Sequence, residues 1–378
     1  MYKTRRIRYL FSMVLLIGIL FAGDTLANEV RRGHRFLRPM AMGEAFTAVG
    51  DSMETIAYNP AGVLINGVEW SMSYPLIWFA YNGLIKKAIN GDISGDDQTQ
   101  IYKELPGSRI YLEQQLGFPF IFIPDKGVFF GVSSNNWFEF VFPKQTIIPV
   151  FHLEAISHNM VEYAMSFGFL ENQLKVGANL KAIKRLGVIT TFSLLRLATI
   201  PTDDPQAAIQ TLQDEYNPDP PPIKYSVDFG MIYSFRHRYN PRIAFSAIDV
   251  GGVDFGSAGE LKQLNSVGFA MTQKPEGQEE IYLTYSADYH DVSFSYFKNQ
   301  SLIRRLSLGF EAAFGKNEEN TNMLALQLGL KELKFPSFGF AVHIGIFKFA
   351  QAQWIENYGT EKNSLPDKRY SFLFSFEF

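Results

Sequence analysis

No cysteine occurs among the 378 residues of this chain. Disulfides therefore contribute nothing to its cohesion, which must come from another source. Long apolar runs are also missing, because the most apolar stretch, residues 11–22, falls short of the roughly 18 residues that a membrane-spanning helix needs. Phenylalanine and tyrosine are nevertheless abundant, at 35 and 18 residues. This combination is typical of membrane β-barrels, whose apolar residues are spread over every second position.

Catalytic and metal-binding motifs are absent as well. The sequence has no Gly-x-Ser-x-Gly, and its six histidines show no metal-ligand spacing. His290 stands beside Asp288 and Asp291, and we interpret it as a polar histidine of a rim or lumen rather than as an acid–base catalyst. We therefore predict neither an enzyme nor a cofactor or metal site.

The N-terminus has the features of an export signal. Four basic residues lie within the first eight positions, the apolar run follows, and Thr25-Leu26-Ala27 offers a cleavage site. We predict a signal peptide over residues 1–27 and a location in the cell outer membrane; an uncleaved anchor helix is the alternative. The remaining 31 basic and 37 acidic residues give a net charge of −6. This balance disfavours a nucleic-acid partner, which would select a basic face.

Apolar and polar residues alternate in many segments. In 225–235, for example, Tyr225, Val227 and Phe229 alternate with Ser226 and Asp228, so the two faces of a strand would differ. Such segments are about 9–13 residues long, which suits a tilted strand that crosses a bilayer. A soluble sandwich would alternate too, but strand length and the export signal favour a membrane barrel. The predicted strands are 68–79, 108–122, 127–139, 146–156, 159–170, 174–182, 225–235, 241–250, 263–272, 280–290, 305–314, 323–331, 337–346 and 370–378.

The last strand resembles the closing strand of outer-membrane β-barrels. Every second residue from Tyr370 to Phe378 is aromatic, and the sequence stops on that phenylalanine. The resemblance implies that Tyr370, Phe376 and Phe378 belong to the signal read by the barrel-assembly machinery. We predict an all-β fold, a transmembrane antiparallel β-barrel of about 14 strands over residues 67–378, with outer-membrane lipid around it.

Three connections are predicted to be long: 81–107, 198–221 and 350–367. Long loops of outer-membrane barrels usually lie outside the cell. The predicted strand order, however, places 198–221 at the opposite end of the barrel from the other two. A strand near 146–198 must therefore be merged or split, and the sequence leaves this open.

Residues 37–64, before the first strand, lack two-residue alternation. Asp51 and Glu54 predict a capped helix over 52–57, and Asn59-Pro60-Ala61-Gly62 predicts a turn into the first strand. The small residues around Gly43, the acidic Asp51 and the run Tyr58–Gly62 resemble the N-terminus of the long-chain fatty-acid outer-membrane transporter superfamily. Looser similarities lie at 287–291, 308–311 and 368–370. The resemblance is to a branch of uncertain substrate that includes relatives of the type IX secretion shuttle. The site residues that it implies are Gly43, Asp51, Asn59, Pro60, Ala61 and Gly62.

In that superfamily this segment is a hatch inside the lumen of a 14-stranded barrel, so the resemblance implies a hatch over residues 28–66. The predicted lumen face carries charges of both signs, which indicates ion pairs that brace a filled interior. The polar candidates on this face are Glu162, Asp228, Arg305, Glu311 and His343.

Two functions follow from the resemblance. The first is passive uptake of hydrophobic small molecules, fatty-acid-like or aromatic, gated by the hatch. Capture would then involve aromatic residues such as Trp78 and Phe79, which we expect near the first loop. The alternative is a barrel without a solute path that anchors or shuttles exported proteins.

Overall fold

The computed structural model describes residues 32–65, 71–90, 107–142, 150–193, 222–274, 281–296, 301–316, 322–358 and 365–377. The predicted signal peptide and Phe378 lie outside these ranges. No helix within them is both long and apolar enough to cross a membrane.

Fourteen antiparallel strands of the described chain close into a barrel, in which neighbours in sequence are neighbours in space and β1 pairs with β16. A separate two-stranded hairpin, β8 (Val253–Asp254) and β9 (Glu260–Leu261), lies between β7 and β10. The barrel strands are β1 (Ser71–Asn82), β2 (Arg109–Ile123), β3 (Val128–Val141), β4 (Val150–Phe169), β5 (Leu174–Ser193), β6 (Lys224–Ser234), β7 (Arg242–Ile248), β10 (Leu264–Gln273), β11 (Ile281–Tyr289), β12 (Leu306–Lys316), β13 (Asn322–Lys331), β14 (Phe335–Ile344), β15 (Phe347–Asn357) and β16 (Pro366–Glu377).

The described helices are short. Residues 32–65, which we call the N-terminal segment, contain α1 (Leu37–Ala41) and the 3₁₀ helices η1 (Met53–Ala57) and η2 (Pro60–Val63). After β1 comes α2 (Gly83–Asn90), and three further 3₁₀ turns are η3 (Pro124–Lys126), η4 (Gly256–Ala258) and η5 (Leu302–Arg305). The predicted capping role of Asp51 is wrong: η1 begins after Ser52 with no side-chain cap, because the Asp51 carboxylate pairs with Arg38.

Burial alternates along the strands as the sequence predicts. On β6, Tyr225 is 76% exposed and Phe229 50%, whereas Ser226 and Asp228 between them are only 4% and 2% exposed. The apolar residues therefore form the outer wall, and the small and polar residues line the interior. This arrangement confirms the predicted all-β antiparallel barrel.

Two strand predictions are wrong, and they cancel in the count. The described parts of the predicted strands 146–156 and 159–170 belong to one strand, β4 (Val150–Phe169), and the sequence splits it because Ser157 and Asn159 interrupt the apolar face. Most of strand β15 falls in the predicted loop 350–367, because Gln351 and Gln353 occupy outward positions of the strand and the small Ala352 lies between them.

The corrected strand order settles which end carries the long connections. We call the end where β1 finishes and β2 starts the loop end, and the opposite end the turn end. Strand β5 finishes and β6 starts at the loop end, where β1 also finishes and β2 starts. The merged or split strand left open in the sequence is β4, which is one strand; residues 198–221 themselves lie outside the described ranges.

Candidate functional site

The N-terminal segment packs against the inner faces of the barrel strands. Its aromatic residues Phe36, Phe46 and Tyr58 are fully buried. The Ser166 hydroxyl of β4 donates to the Ala61 carbonyl at 2.9 Å, and the hydroxyl of Ser337 on β14 donates to the carbonyl of Ala41 at 2.8 Å. The segment therefore contacts well-separated strands of the barrel from within.

Asn59 fixes the Asn-Pro-Ala turn. Its side-chain oxygen accepts from the backbone N–H of Ala61 at 3.0 Å and so caps η2, where Pro60 suits the first helical position. Its amide nitrogen donates to the Thr47 carbonyl at 2.9 Å, and to the carbonyls of Met231 on β6 and Phe245 on β7 at 3.3 Å each. One fully buried side chain thus joins the turn, the segment and two strands.

Glycines on the inner wall make room for this turn. A Cβ at Gly177 of β5 would lie 2.5 Å from the carbonyl carbon of Pro60, and a Cβ at Gly230 of β6 would overlap the side chain of Asn59. The two glycines are direct partners across the strands. Backbone atoms cannot move aside as a flexible side chain does, so this close approach requires glycine.

A second glycine pair receives the other side of the segment. A Cβ at Gly309 of β12 would lie 2.8 Å from the Met42 carbonyl oxygen, and a Cβ at Gly329 of β13 would overlap the backbone at Gly43. Gly309 and Gly329 are again cross-strand partners, and Gly43 has a positive φ of 66°. We call Gly177, Gly230, Gly309 and Gly329 the glycine collar. Sequence reasoning missed it, although glycine recurs at inward positions of successive predicted strands.

Arg38 forms an ionic clamp between the segment and β12. Its guanidinium donates to both carboxylate oxygens of Glu311 at 2.7 Å, and to those of Asp51 at 2.6 and 2.9 Å. Gln327 donates to the same Glu311 at 2.9 Å. Burial alone would raise the pKa of Asp51, but attraction to Arg38 outweighs it and leaves the pKa below its ordinary value.

Two lysines add similar clamps. Lys331 lies 3.1 Å from Glu44 of the segment and 2.8 Å from Glu356 of β15. Burial opposes ionisation of Glu44, yet the nearby cations, Lys331 first, lower its pKa to about 2. Lys348 lies 3.3 Å from Glu54 and 3.0 Å from Glu377, which also lies 3.0 Å from His343. Both glutamates of the segment therefore have a lysine partner on the wall.

The other polar candidates lie apart from these clamps. Asn179 donates to Glu162 at 3.0 Å and to Asp228 at 3.1 Å, and His34 approaches Glu162 at 2.6 Å. Arg305 lies in η5 at the loop end, where its guanidinium stands 3.6 Å from the ring centre of Phe294. Elsewhere, the wall residue Asp288 accepts the backbone N–H groups of Phe46 and Thr47, and the ring of His290 lies 3.2 Å from the hydroxyl of Ser266.

Three further residues complete the predicted set. Gly62 packs against Thr55 with no room for a Cβ. Tyr370 and Phe376 face outward on β16, where Tyr370 stacks on Tyr81 at 5.8 Å and Phe376 contacts Phe347 at 5.1 Å.

One side of the inner wall is apolar. Trp78 of β1 is fully buried and packs in one cluster with Phe36 and Met40 of the segment. The inner faces of β5 and β6 carry instead the ion pair of Lys181 with Asp228, at 2.6 Å. We call the strand residues of the cluster from β1, β15 and β16 the apolar wall: Leu76, Trp78, Ala80, Ala350, Ala352, Trp354 and Leu373.

The expected place of Trp78 and Phe79 near the first loop was wrong. Both lie inside β1, with Trp78 turned inward and Phe79 47% exposed on the outer wall. Strand alternation separates the two rings, so only Trp78 contributes to the interior.

The pairing of β1 with β2 is interrupted beside the apolar wall. Ser73 pairs with Phe120 and Leu76 with Gly117, and β1–β16 and β2–β3 both shift register at this level. Pro75 and Pro119 occupy the interrupted stretch, and neither has an N–H for a ladder hydrogen bond. We call this stretch the seam.

The solved structures similar to this one include two toluene transporters. TbuX of Ralstonia pickettii is 10% identical, with a TM-score of 0.50 over 92% of this chain and 98% of the transporter. TodX of Pseudomonas putida is 9% identical, with a TM-score of 0.47 over 95% of this chain and 99% of the transporter. The fold is that of an outer-membrane β-barrel.

The predicted barrel fold therefore has a solved counterpart in TbuX. The sequence itself matches no protein-family model, and no curated protein is similar to it. At such low identity the likeness concerns architecture and assigns no residue a role.

Replacing Asn59 by alanine is expected to loosen the segment. The variant loses a helix cap, which costs about 1 kcal/mol, and leaves the buried Thr47 carbonyl without its donor, which costs about 1–3 kcal/mol. Chymotrypsin cleavage at Phe46 should accelerate about tenfold or more. The matched control is Asn159→Ala on the outer wall, where the amide donates to Ser157; equal rates in the two variants would contradict the anchoring role.

Proposed function

We propose that this protein is an outer-membrane channel for hydrophobic small molecules, fatty-acid-like or aromatic, and that the N-terminal segment is its hatch. The proposal includes a signal peptide over 1–27, a hatch over 28–66 and a barrel over 67–378. The observation that carries it is the apolar wall, which meets both the segment and the seam. Water-filled porins have a polar interior, so an apolar inner surface suits a different kind of solute.

The named activity of the fold neighbour supports the same choice, because TbuX is a toluene transporter. An apolar solute that enters from the loop end would transfer onto Trp78 and the residues around it. It would replace the contacts of Phe36 and Met40 with that wall. Because one apolar contact replaces another, the exchange changes little buried apolar area and needs little free energy.

The seam gives such a solute a way out. Pro75 and Pro119 weaken the pairing of β1 with β2 next to the apolar wall, so an apolar molecule there is close to the bilayer. A straight path to the turn end would instead pass the charged clamps, including Arg38 and Lys348. Burial of apolar solute against unsolvated charges is unfavourable. A lateral exit, coupled to a shift of the hatch, therefore fits the distribution of charge.

The first test is uptake of labelled oleate and labelled naphthalene by cells whose outer membrane contains the protein, compared with cells that lack it. We expect protein-dependent uptake of at least one solute. Equal uptake with and without a correctly assembled barrel would refute the channel and favour the anchoring or shuttling role. A variant without residues 40–58 then tests the hatch, and it should alter uptake while the barrel stays assembled.

A reversible lock tests movement of the hatch. The side chains of Glu54 on the segment and Lys348 on the wall meet at 3.3 Å, so Glu54→Cys with Lys348→Cys can be bridged by a bis-methanethiosulfonate reagent, which forms one disulfide at each end. The chain has no cysteine of its own, so the introduced pair is the only target of the reagent. We expect bridging to stop uptake and a reductant to restore it. The single variant Lys348→Cys, treated with the same reagent, controls for the substitution, and undiminished uptake by the bridged protein would show that the hatch does not move.

A further inference from the structure

The outer wall carries an unusual aromatic and cationic group at the loop end. Tyr370 of β16 faces outward and stacks on Tyr81 of β1, with ring centres 5.8 Å apart. The ammonium of Lys86 in α2 lies 4.2 Å from the ring centre of Tyr370, and that of Lys368 lies 5.3 Å from the same centre. Two cations from different elements therefore meet at one ring.

Neither lysine is neutralised within the described ranges. No carboxylate there forms an ion pair with Lys86 or Lys368, in contrast to the buried lysines at positions 181, 331 and 348. A tyrosine ring attracts a cation but does not cancel its charge. The ammonium groups thus keep hydrogen-bond donors for an anionic ligand.

The group lies at the edge of the apolar belt, by which we mean the band of outward-facing apolar residues around the barrel. Toward the turn end, Phe372 and Phe374 of β16 are 39% exposed each and face the surroundings of the barrel. At the level of Tyr370 its partner on β15 is the outward Gln353, which marks a change to polar wall. Helix α2 packs on β1, β2 and β16 at this level, and its Ile89 is 70% exposed. Tyrosine is enriched where a membrane protein crosses such a boundary.

From this geometry we propose that Lys86, Lys368 and Tyr370 form a binding site for the phosphate group of an acidic outer-leaflet glycolipid. The apolar belt below contacts the acyl chains, and the two lysines hold the phosphorylated head group. The leaflet follows from the loop end, because long loops face outward in such barrels. This site does not depend on whether the barrel transports a solute.

The test measures binding of bisphosphorylated lipid A to the delipidated full-length barrel by native mass spectrometry. Because each lysine near acidic lipid strengthens binding by about fivefold, Lys86→Gln with Lys368→Gln should weaken it about 25-fold. The matched control is Lys126→Gln, a 75% exposed lysine at the turn end, which should bind as the unaltered protein does. Heat-dependent gel migration confirms that each barrel is folded.

Two further ligands separate the possible sources of binding. Dephosphorylated lipid A with the same acyl chains should bind weakly to all three proteins, since it keeps only the belt contacts. Inorganic phosphate should bind far more weakly than the lipid. Equal lipid A binding by the double variant and the unaltered protein would overturn the proposal. Inorganic phosphate bound as tightly as lipid A would overturn it as well, because the site would then recognise the free anion.

Discussion

Replacing Gly177 by valine is expected to release the N-terminal segment while the barrel stays closed. The new side chain would meet the backbone of Pro60 and Ala61 at 2.5–2.6 Å, and neither strand nor turn can yield without losing its hydrogen bonds. Overpacking of this kind costs about 1–3 kcal/mol or more, so the undocked fraction should rise about 10- to 100-fold.

Two measurements check this result. Chymotrypsin should cut at Phe36 and Phe46 at a rate that follows the undocked fraction, and the barrel should conduct ions in a planar bilayer. Gly83→Val is the matched control, because a Cβ there has only the Lys368 carbonyl within contact, at 3.8 Å. Unchanged cleavage and conductance in Gly177→Val would mean that the collar does not determine docking.

Replacing Arg38 by methionine should undock the N-terminal segment to a greater extent than Gly177→Val does. Methionine preserves the length of the side chain, but Glu311, which is 3% exposed, then keeps a buried charge without its cation. Loss of one partner from a buried pair costs about 3–5 kcal/mol. We therefore expect the segment to undock in most molecules, with chymotrypsin cleavage at Phe46 as the measurement.

A second substitution tests that the cost comes from the unpaired charge. Arg38→Met combined with Glu311→Gln removes both members of the buried pair, so the double variant should regain part of the lost docking. The control is Arg236→Met, because its partner Glu171 is 80% exposed. This variant should leave the rate of chymotrypsin cleavage at Phe46 unchanged. A double variant as poorly docked as Arg38→Met alone would show that packing of the arginine, rather than its charge, holds the segment.

The sequence predicted the barrel well because its physical signature is local. Alternation at two-residue spacing depends on the strand alone, so 225–235 was recovered almost unchanged as β6. The signature fails where the outer wall leaves the apolar belt: Ser157 and Asn159 split one strand in two, and Gln351 and Gln353 concealed β15. Both errors come from outward positions that are polar. The pattern within one strand does not show how far that strand extends beyond the apolar outer surface of the barrel.

The candidate site was harder to predict, because its contacts join distant parts of the chain. Asn59 and Gly43 were found through the family resemblance, whereas Arg38 was not selected at all. Its partner Glu311 was placed in the lumen, but a single sequence does not pair two charges that lie 273 positions apart. The glycines of the collar can be recognised in the sequence as inward positions without a side chain. Which part of the chain packs against them depends on the closed barrel and cannot be predicted from the sequence.

The same distances have a consequence for the order of assembly. The hydroxyl of Ser337 and the carbonyl of Ala41 that it binds are 296 positions apart, and Lys348 and Glu54 are 294 apart. The N-terminal segment is synthesised before the strands that contact it. Its charged residues therefore acquire their partners only after the last strands have been made. Contacts between such remote residues form late, because the long loop between them must be closed first. Until β16 meets β1, the segment carries charges that only a finished barrel can neutralise, so closure of the wall and seating of the segment are expected to form one concluding step.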